Sequence, residues 1–442
     1  MNENMIAKGA TMGTTTHSHK EHATAVAPFH SHFFESLHKE QWQEVRLGEV
    51  TKTANTGLDA IKRAPIVNYR TSLKCLRIQD ISQNKCYQDW GFTEVSQQDF
   101  FKFQLKKKDI LIARTGASVG VKKIIEEDLQ AVFNNGLIRI RTSEKIKSKF
   151  LYYILSTSKY DGFIEGISGG TSTQPNIQIQ SLLDFNFPLP PLKVQQQIAE
   201  ILSSFDDKID LLHRQNKTLE SLALTLFRHT FIDNPNRNEW EMGKLGDWLI
   251  ETIGGDWGKE KPINDFQEKV FCIRGTDIAD LNKGLADKTP IRYIKKNKLS
   301  MLEPKEGDII FEISGGTETQ STGRCVFVNQ QVKTLFEYPI VFSNFCRLLR
   351  VKKKEYSYFL YLYLQHLYYN DEFFALENGT SGIKNLNYKA LFYELEYKMP
   401  SKIQVIEFHE KVKIYFDKIN ASKKQIQNLQ SMCDMLLAKI LI

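Results

Sequence analysis

Two stretches of this chain place apolar side chains alternately four and three residues apart, with polar residues between. One series is Ile198, Leu202, Phe205, Ile209, Leu212, Asn216, Leu219, Ala223 and Leu226. The other is Phe408, Val412, Tyr415, Ile419, Ser422, Ile426, Leu429, Cys433 and Leu436, and no proline interrupts either. A spacing of 3.5 held over about four heptads is the seam of a coiled coil. A single helix of this kind would dock on its own domain; two with matching heptads favour pairing with each other. At 1.5 Å per residue each seam spans roughly 40 Å. Asn216 stands where the second series has Ile426, and a polar seam residue fixes register at some cost in stability. Asn216→Leu is therefore expected to keep the fold and loosen the register.

Ahead of each seam the pattern changes. Short β-branched runs read as strands: Asp109-Ile-Leu-Ile-Ala, Gly136-Leu-Ile-Arg-Ile-Arg, Asp308-Ile-Ile-Phe-Glu and Arg347-Leu-Leu-Arg-Val. Aromatic-rich stretches, Phe150-Leu-Tyr-Tyr-Ile-Leu and Tyr358-Phe-Leu-Tyr-Leu-Tyr-Leu, read as helices between them. Prolines then mark a boundary, at Phe187-Pro-Leu-Pro-Pro-Leu and Lys398-Met-Pro-Ser, where proline disfavours a continuing helix. Each half is thus an α+β domain followed by a long helix.

The halves also match in sequence. Trp42-Gln-Glu-Val-Arg-Leu-Gly-Glu answers to Trp240-Glu-Met-Gly-Lys-Leu-Gly-Asp, and Leu76-Arg-Ile-Gln-Asp-Ile to Ile273-Arg-Gly-Thr-Asp-Ile. Lys108-Asp-Ile-Leu-Ile-Ala-Arg-Thr-Gly answers to Gly307-Asp-Ile-Ile-Phe-Glu-Ile-Ser-Gly, and Val132-Phe-Asn-Asn to Val341-Phe-Ser-Asn. Gly170-Thr-Ser-Thr-Gln-Pro-Asn-Ile pairs with Gly379-Thr-Ser-Gly-Ile-Lys-Asn-Leu. A repeat of this length is not a solenoid unit of about 20–50 residues. It predicts two similar domains about a pseudo-two-fold axis, with the helices antiparallel. The expected organisation is a disordered leader over 1–40, a first domain over 41–190, a helix over 191–232 and a linker over 233–239. A second domain over 240–400 and a second helix over 401–442 follow.

Composition adds limits. The chain has 442 residues with 59 Lys and Arg against 52 Asp and Glu, an excess compatible with a polyanion but too mild to argue for one. No apolar run is long enough for a membrane span, and no signal-peptide layout opens the chain. The 6 cysteines lack paired or zinc-like spacing, which suits reduced, buried thiols in a cytoplasmic protein. The histidines near the N-terminus, His17, His19, His30 and His32 among them, fall in the expected leader and are not read as a metal site.

Catalytic motifs are missing as well. Asp233-Asn-Pro-Asn lacks the second proline and the aromatic of an amino-methyltransferase motif, and Gly254-Gly-Asp-Trp-Gly-Lys has the wrong spacing for a P-loop. Asp308 and Glu312 lack the nearby lysine of a metal-dependent nuclease and read as the ends of a strand. No cofactor is expected.

Two divergent α+β domains, each leading into a similar helix, resemble the specificity subunit of type I restriction–modification enzymes. The local matches are Phe187-Pro-Leu-Pro-Pro-Leu-Lys-Val-Gln-Gln-Gln-Ile-Ala-Glu-Ile-Leu, Phe205-Asp-Asp-Lys-Ile-Asp, the Lys108 to Gly120 segment and Gly170-Thr-Ser-Thr-Gln-Pro-Asn-Ile. The second copy departs from it, since Met399-Pro-Ser-Lys-Ile-Gln-Val-Ile-Glu-Phe lacks the double proline and the Gln pair. The resemblance implies two target recognition domains that read the halves of a split, asymmetric site in double-stranded DNA. The helices would hold them apart. Methylation of adenine and ATP-driven cleavage would belong to partners, two modification and two restriction subunits, and this chain would not be an enzyme. A coiled-coil scaffold without DNA binding, and a single-chain methyltransferase or nuclease, are the competing readings.

DNA contacts need Arg, Lys, Asn or Gln at base edges, and cations or backbone N–H groups at phosphates. The mirrored glycine-containing loops supply them. Candidates in the first half are Arg114, Thr115, Ser118, Lys122, Lys123, Thr171, Ser172, Gln174 and Asn176. In the second they are Ser314, Thr317, Arg324, Thr380, Ser381 and Lys384. Tight turns alone would explain the same residues equally well. Lysines at 106–108, 122–123, 295–298 and 352–354 offer a phosphate footprint or a solvated face. Arg77 and Arg274 are read as structural pairs or DNA contacts alike.

Overall fold

The computed structural model describes residues 42–169, 175–379 and 382–441. The leader, and Thr171, Ser172, Gln174, Thr380 and Ser381, lie outside them. The chain is mixed α/β and divides into two compact units. One runs up to Glu200 and includes the C-terminal segment from Met435, and the other is Ile201–Asp434.

In the first unit, Gln43–Arg46 pairs antiparallel with Asn186–Leu189. One four-stranded sheet orders Thr51–Thr56, Leu137–Thr142, Ile110–Ala113 and Lys122–Ile124. A second orders Ile66–Val67, Gly91–Thr93, Leu73–Leu76 and Ala131–Phe133, the last two parallel with Cys75 opposite Val132.

The second unit repeats this. Met242–Gly243 pairs with Tyr397–Lys398. Leu249–Gly254, Cys346–Val351, Ile309–Glu312 and Cys325–Phe327 form one sheet. Ile291–Lys295, Phe266–Ile273 and Ile340–Phe342 form another, again parallel at its end, with Cys272 opposite Val341. The residues opposed in the two parallel pairs are those the sequence motifs align, so the sequence repeat is a repeat of strand register.

The apolar run Ile309–Phe311 is continuous because both faces of its strand are covered. Ile309 and Phe311 enter the core that contains the long helices, while Ile310 enters the core around Cys272 and Val341. Period-two alternation sends neighbours to opposite sides. Each unit also has a glycine pressed against the backbone that follows its parallel strand. A Cβ on Gly57 would stand 2.2 Å from the Phe133 carbonyl oxygen, and one on Gly255 would stand 2.1 Å from that of Ser343. Gly255 of the Gly254–Gly255 pair is thus held by packing.

The first long helix, Leu192–Phe227, runs on through a π turn at Arg228–Ile232, and the second is Lys402–Leu441. Their 36 and 40 residues make them roughly 54 and 60 Å long, beyond the roughly 40 Å of the seams alone. They start differently. In the first, the buried Gln195 amide donates to the carbonyls of Lys145 and Pro190 and accepts from Lys147 N–H. In the second, fully buried Val405 takes the matching place, and Ser401 and Gln404 form a reciprocal cap instead.

All described seam residues are buried or half-buried. Toward the end of the first helix the spacing drifts to four, through Ala223, Phe227 and Phe231, and in the second helix Phe416 is buried more deeply than Tyr415. Within the second unit Phe408 lies 6.1 Å from Phe227 and 4.9 Å from Phe231 between ring centroids. Lys423 acts electrostatically on Glu220, and Asp206 on Cys433. Residues late in one helix thus meet residues early in the other.

Asn216 is buried, and its Oδ1 accepts no hydrogen bond among the described residues. An unpaired buried acceptor costs about 1–3 kcal/mol. Asn216→Leu should therefore raise stability by about 1 kcal/mol while removing the polar group that opposes sliding of the helices. Urea unfolding of the variant, with a structure to compare helix alignment, checks both. Lower stability, or an unchanged helix alignment, would contradict the expectation.

Candidate nucleic-acid interface

Strand Ile110–Ala113 ends in Arg114, whose backbone joins a second loop. Arg114 carbonyl accepts from Ile177 N–H at 2.8 Å, Gly116 N–H donates to Pro175 at 3.1 Å, and Thr115 bridges Asn176. The guanidinium Nε and Nη2 of Arg114 both donate to Asn176 Oδ1, at 3.2 and 3.0 Å. Gly116 takes φ +78° with open space where a Cβ would be, a backbone that only glycine adopts cheaply.

The second unit makes the same joint. Ile313 carbonyl accepts from Leu386 N–H at 2.9 Å, and Ser314 and Gly315 pair with Asn385 and Lys384. Ser314 Oγ donates to Asn385 Oδ1 at 2.6 Å. In both units, then, the fold brings together the two loops that the sequence motifs had singled out separately. Asn385 was not among the sequence candidates; its alignment with Asn176 was the signal.

The remaining candidates separate by charge balance. Arg324 is bound bidentately to Glu312, at 2.8 and 2.5 Å, and that carboxylate is only 1% exposed. The hydrogen bond to Glu312 holds the Arg324 pKa above its ordinary value. Lys384 pairs with Glu377 at 3.0 Å. Lys122 and Lys123 are half-buried on the strand beside Ile110–Ala113, and burial lowers the pKa of both; the Lys122 ammonium lies over the Tyr160 ring. Thr115 and Ser118 are half-buried, Ser314 is buried, and Thr317 is exposed with its hydroxyl accepting from Gln320 N–H. Arg114 differs from Arg324 and Lys384 in being held by a neutral amide, with no carboxylate among the described residues to cancel its charge.

Elsewhere the arginines serve the fold. Arg77 pairs with Asp80 and Arg274 with Asp277, each closing a helix start. Arg350 pairs with Asp308, so both carboxylates that bracket strand Ile309–Glu312 are engaged by arginine. Lys295, Lys298 and Lys354 are paired with Asp265, Asp256 and Glu306, while Lys106, Lys107 and Lys108 are exposed. Cys75, Cys272, Cys325 and Cys346 are buried free thiols, with Cys75 pushed up to about 12 by burial. Cys86 is exposed, contrary to the buried thiols expected. Among the described residues no helix is long and apolar enough to cross a membrane.

A family model described as a type I restriction modification DNA specificity domain matches residues 39–221. The type I restriction enzyme MjaIX specificity subunit of Methanocaldococcus jannaschii is 27% identical over 355 residues, covering 75% of this chain and 77% of that protein. The MjaVIII specificity subunit of the same organism is 23% identical over 415 residues, covering 88% and 92%. The crystal structure of a type I restriction–modification S subunit from M. genitalium shares the fold, with a TM-score of 0.51 at 16% identity over 91% of this chain and 96% of that one. Over most of its length the chain is therefore similar to specificity subunits of type I restriction–modification systems, and within it residues 39–221 match a DNA specificity domain of those systems.

Proposed function

We propose that the two units carry two recognition domains, each reading one half of a split, asymmetric site in duplex DNA. The long helices act as an antiparallel coiled-coil spacer that fixes the gap, with a pseudo-two-fold axis between the domains. Two modification subunits dock on this frame and methylate adenine where the chain directs them; two restriction subunits complete the cytoplasmic nuclease. The observation that carries this reading is the recurrence of the loop joint, Thr115 with Asn176 and Ser314 with Asn385, at the ends of equivalent strands. One chain then presents two related surfaces, as a bipartite site requires. The loops also contain the remaining candidates, Thr171, Ser172 and Gln174 in the first and Thr380 and Ser381 in the second.

Arg114 supplies the test. Its uncancelled charge suits a phosphate or a guanine edge. Arg114→Ala in the complex with the modification subunit should weaken binding to target duplex by about 1.5–3 kcal/mol. If the contact is to phosphate, the slope of log affinity against log salt falls by about 1. Mobility shifts over a salt series measure both. Affinity and slope equal to wild type would remove Arg114 from the interface; a wild-type complex that shifts no duplex would favour a protein scaffold.

A further inference from the structure

In each unit a tight turn leads from the parallel strand into the four-stranded sheet. In the first unit it is Asn134-Asn135-Gly136, closed by Leu137 N–H donating to Asn134 carbonyl at 3.1 Å. Asn134 N–H donates to Leu76 carbonyl, Asn135 N–H to Leu58 carbonyl, and Gly136 carbonyl accepts from Arg114 N–H. In the second it is Ser343-Asn344-Phe345, closed by Cys346 N–H donating to Ser343 carbonyl at 2.9 Å. Ser343 N–H donates to Ile273 carbonyl, and Phe345 carbonyl accepts from the N–H groups of Ile313 and Ser314. Gly57 and Gly255 press against these two turns with no room for a side chain. Both backbones are therefore rigid, and both adjoin the loop joints described above.

At the tip of each turn stands the same residue, Asn135 and Asn344. Both are exposed, and neither side-chain amide makes a hydrogen bond with the described residues. The turn does not demand asparagine there, since this position of a common turn accepts most residues. The flanking residues differ between the units: Asn134 against Ser343 before the tip, Gly136 against Phe345 after it. What recurs is a free carboxamide on a preorganised backbone, next to the joint that carries Arg114 in one unit and Ser314 in the other.

We propose that Asn135 and Asn344 are specificity-determining residues, each reading an adenine edge in the major groove of its own half-site. The proposal rests on the DNA-reading function above. A carboxamide presents a donor and an acceptor side by side, the complement of adenine N7 and N6. Fixing such a group on a rigid turn is how a base contact is held in productive geometry. Phe345, 45% exposed beside Asn344, adds an apolar surface of the kind that touches a thymine methyl, where the first unit has only Gly136. The two heads would thus share one adenine contact and differ in what lies next to it.

The test uses the full chain assembled with its modification subunit, methylating a random-sequence duplex library whose N6-methyladenines are then mapped. Asn135→Ala should relax one position in one half of the motif, and Asn344→Ala one position in the other half. At each, preference for adenine should fall about 5- to 150-fold. Asn135→Asp and Asn344→Asp keep side-chain shape but lose the donor, and should do the same at the same positions. Asn297→Ala, an exposed asparagine on helix Lys296–Leu302, should change nothing. Thermal unfolding of each variant at the wild-type temperature shows that the loss is one of reading. Variants with the wild-type motif, or a motif relaxed equally in both halves by one substitution, would overturn the proposal and leave the function standing. A wild-type complex with no split motif would overturn the function itself.

Discussion

Phe227→Ala should cost the second unit about 3–5 kcal/mol, the range for removing a fully buried phenylalanine. The ring has no exposed surface and sits in an aromatic cluster, with centroids 5.4 Å from Phe231, 6.0 Å from Phe359, 5.7 Å from Tyr363 and 6.1 Å from Phe408. Phe359 and Tyr363 belong to helix Ser357–Tyr369, and Phe408 to the second long helix. One side chain therefore couples the end of the first helix, the start of the second and the domain between them. Small neighbours cannot refill so large a gap, because interiors are packed like crystals. Urea unfolding of the full chain, with hydrogen exchange to locate the lost protection in residues 201–434, measures the effect. Leu222→Ala, on the same helix but 47% exposed, should cost little. Equal effects of the two substitutions would mean that the helix ends do not pack as described.

Arg324→Ala should cost about 3–5 kcal/mol as well, through a different cause: removing one partner leaves a buried charge uncompensated. Glu312 is 1% exposed, and both its oxygens are taken by the Arg324 guanidinium. Restoring neutrality with Glu312→Gln beside Arg324→Met should recover much of the loss, since a buried pair replaced by groups of similar volume is often neutral. The result also separates two roles for the residue. A DNA cation would lose affinity at unchanged unfolding midpoint, whereas a structural partner loses stability first. Thermal unfolding and duplex binding measured on the same preparations decide between them.

The strands and helices were legible because their periods are written locally. Ile110–Ala113 and Ile309–Glu312 are uninterrupted apolar runs, and the seam from Ile198 to Leu226 keeps its spacing with polar residues between. The loops were legible through repetition: Arg114-Thr-Gly and Gly170 to Ile177 each had a counterpart, and their counterparts proved to touch as they do. Charge balance was not legible. Nothing near Arg324 in the sequence marks Glu312, one strand away, as its partner, and nothing near Arg114 marks Asn176 as its acceptor. Such pairs depend on which strands lie side by side. The glycines at 57 and 255 were hidden for the same reason, because what excludes a Cβ is the carbonyl of a residue far along the chain. Gln195, one of three consecutive glutamines, owes its place to an amide that reaches Lys145 and Lys147.

On the function proposed above, one chain reads two half-sites across a gap set by its helices. The most direct measurement maps N6-methyladenine left on random-sequence duplex by the chain with its modification subunit. Two short unlike sequences separated by a run of indifferent bases of constant length are expected. A single uninterrupted motif, or two half-motifs at varying separation, would contradict that function.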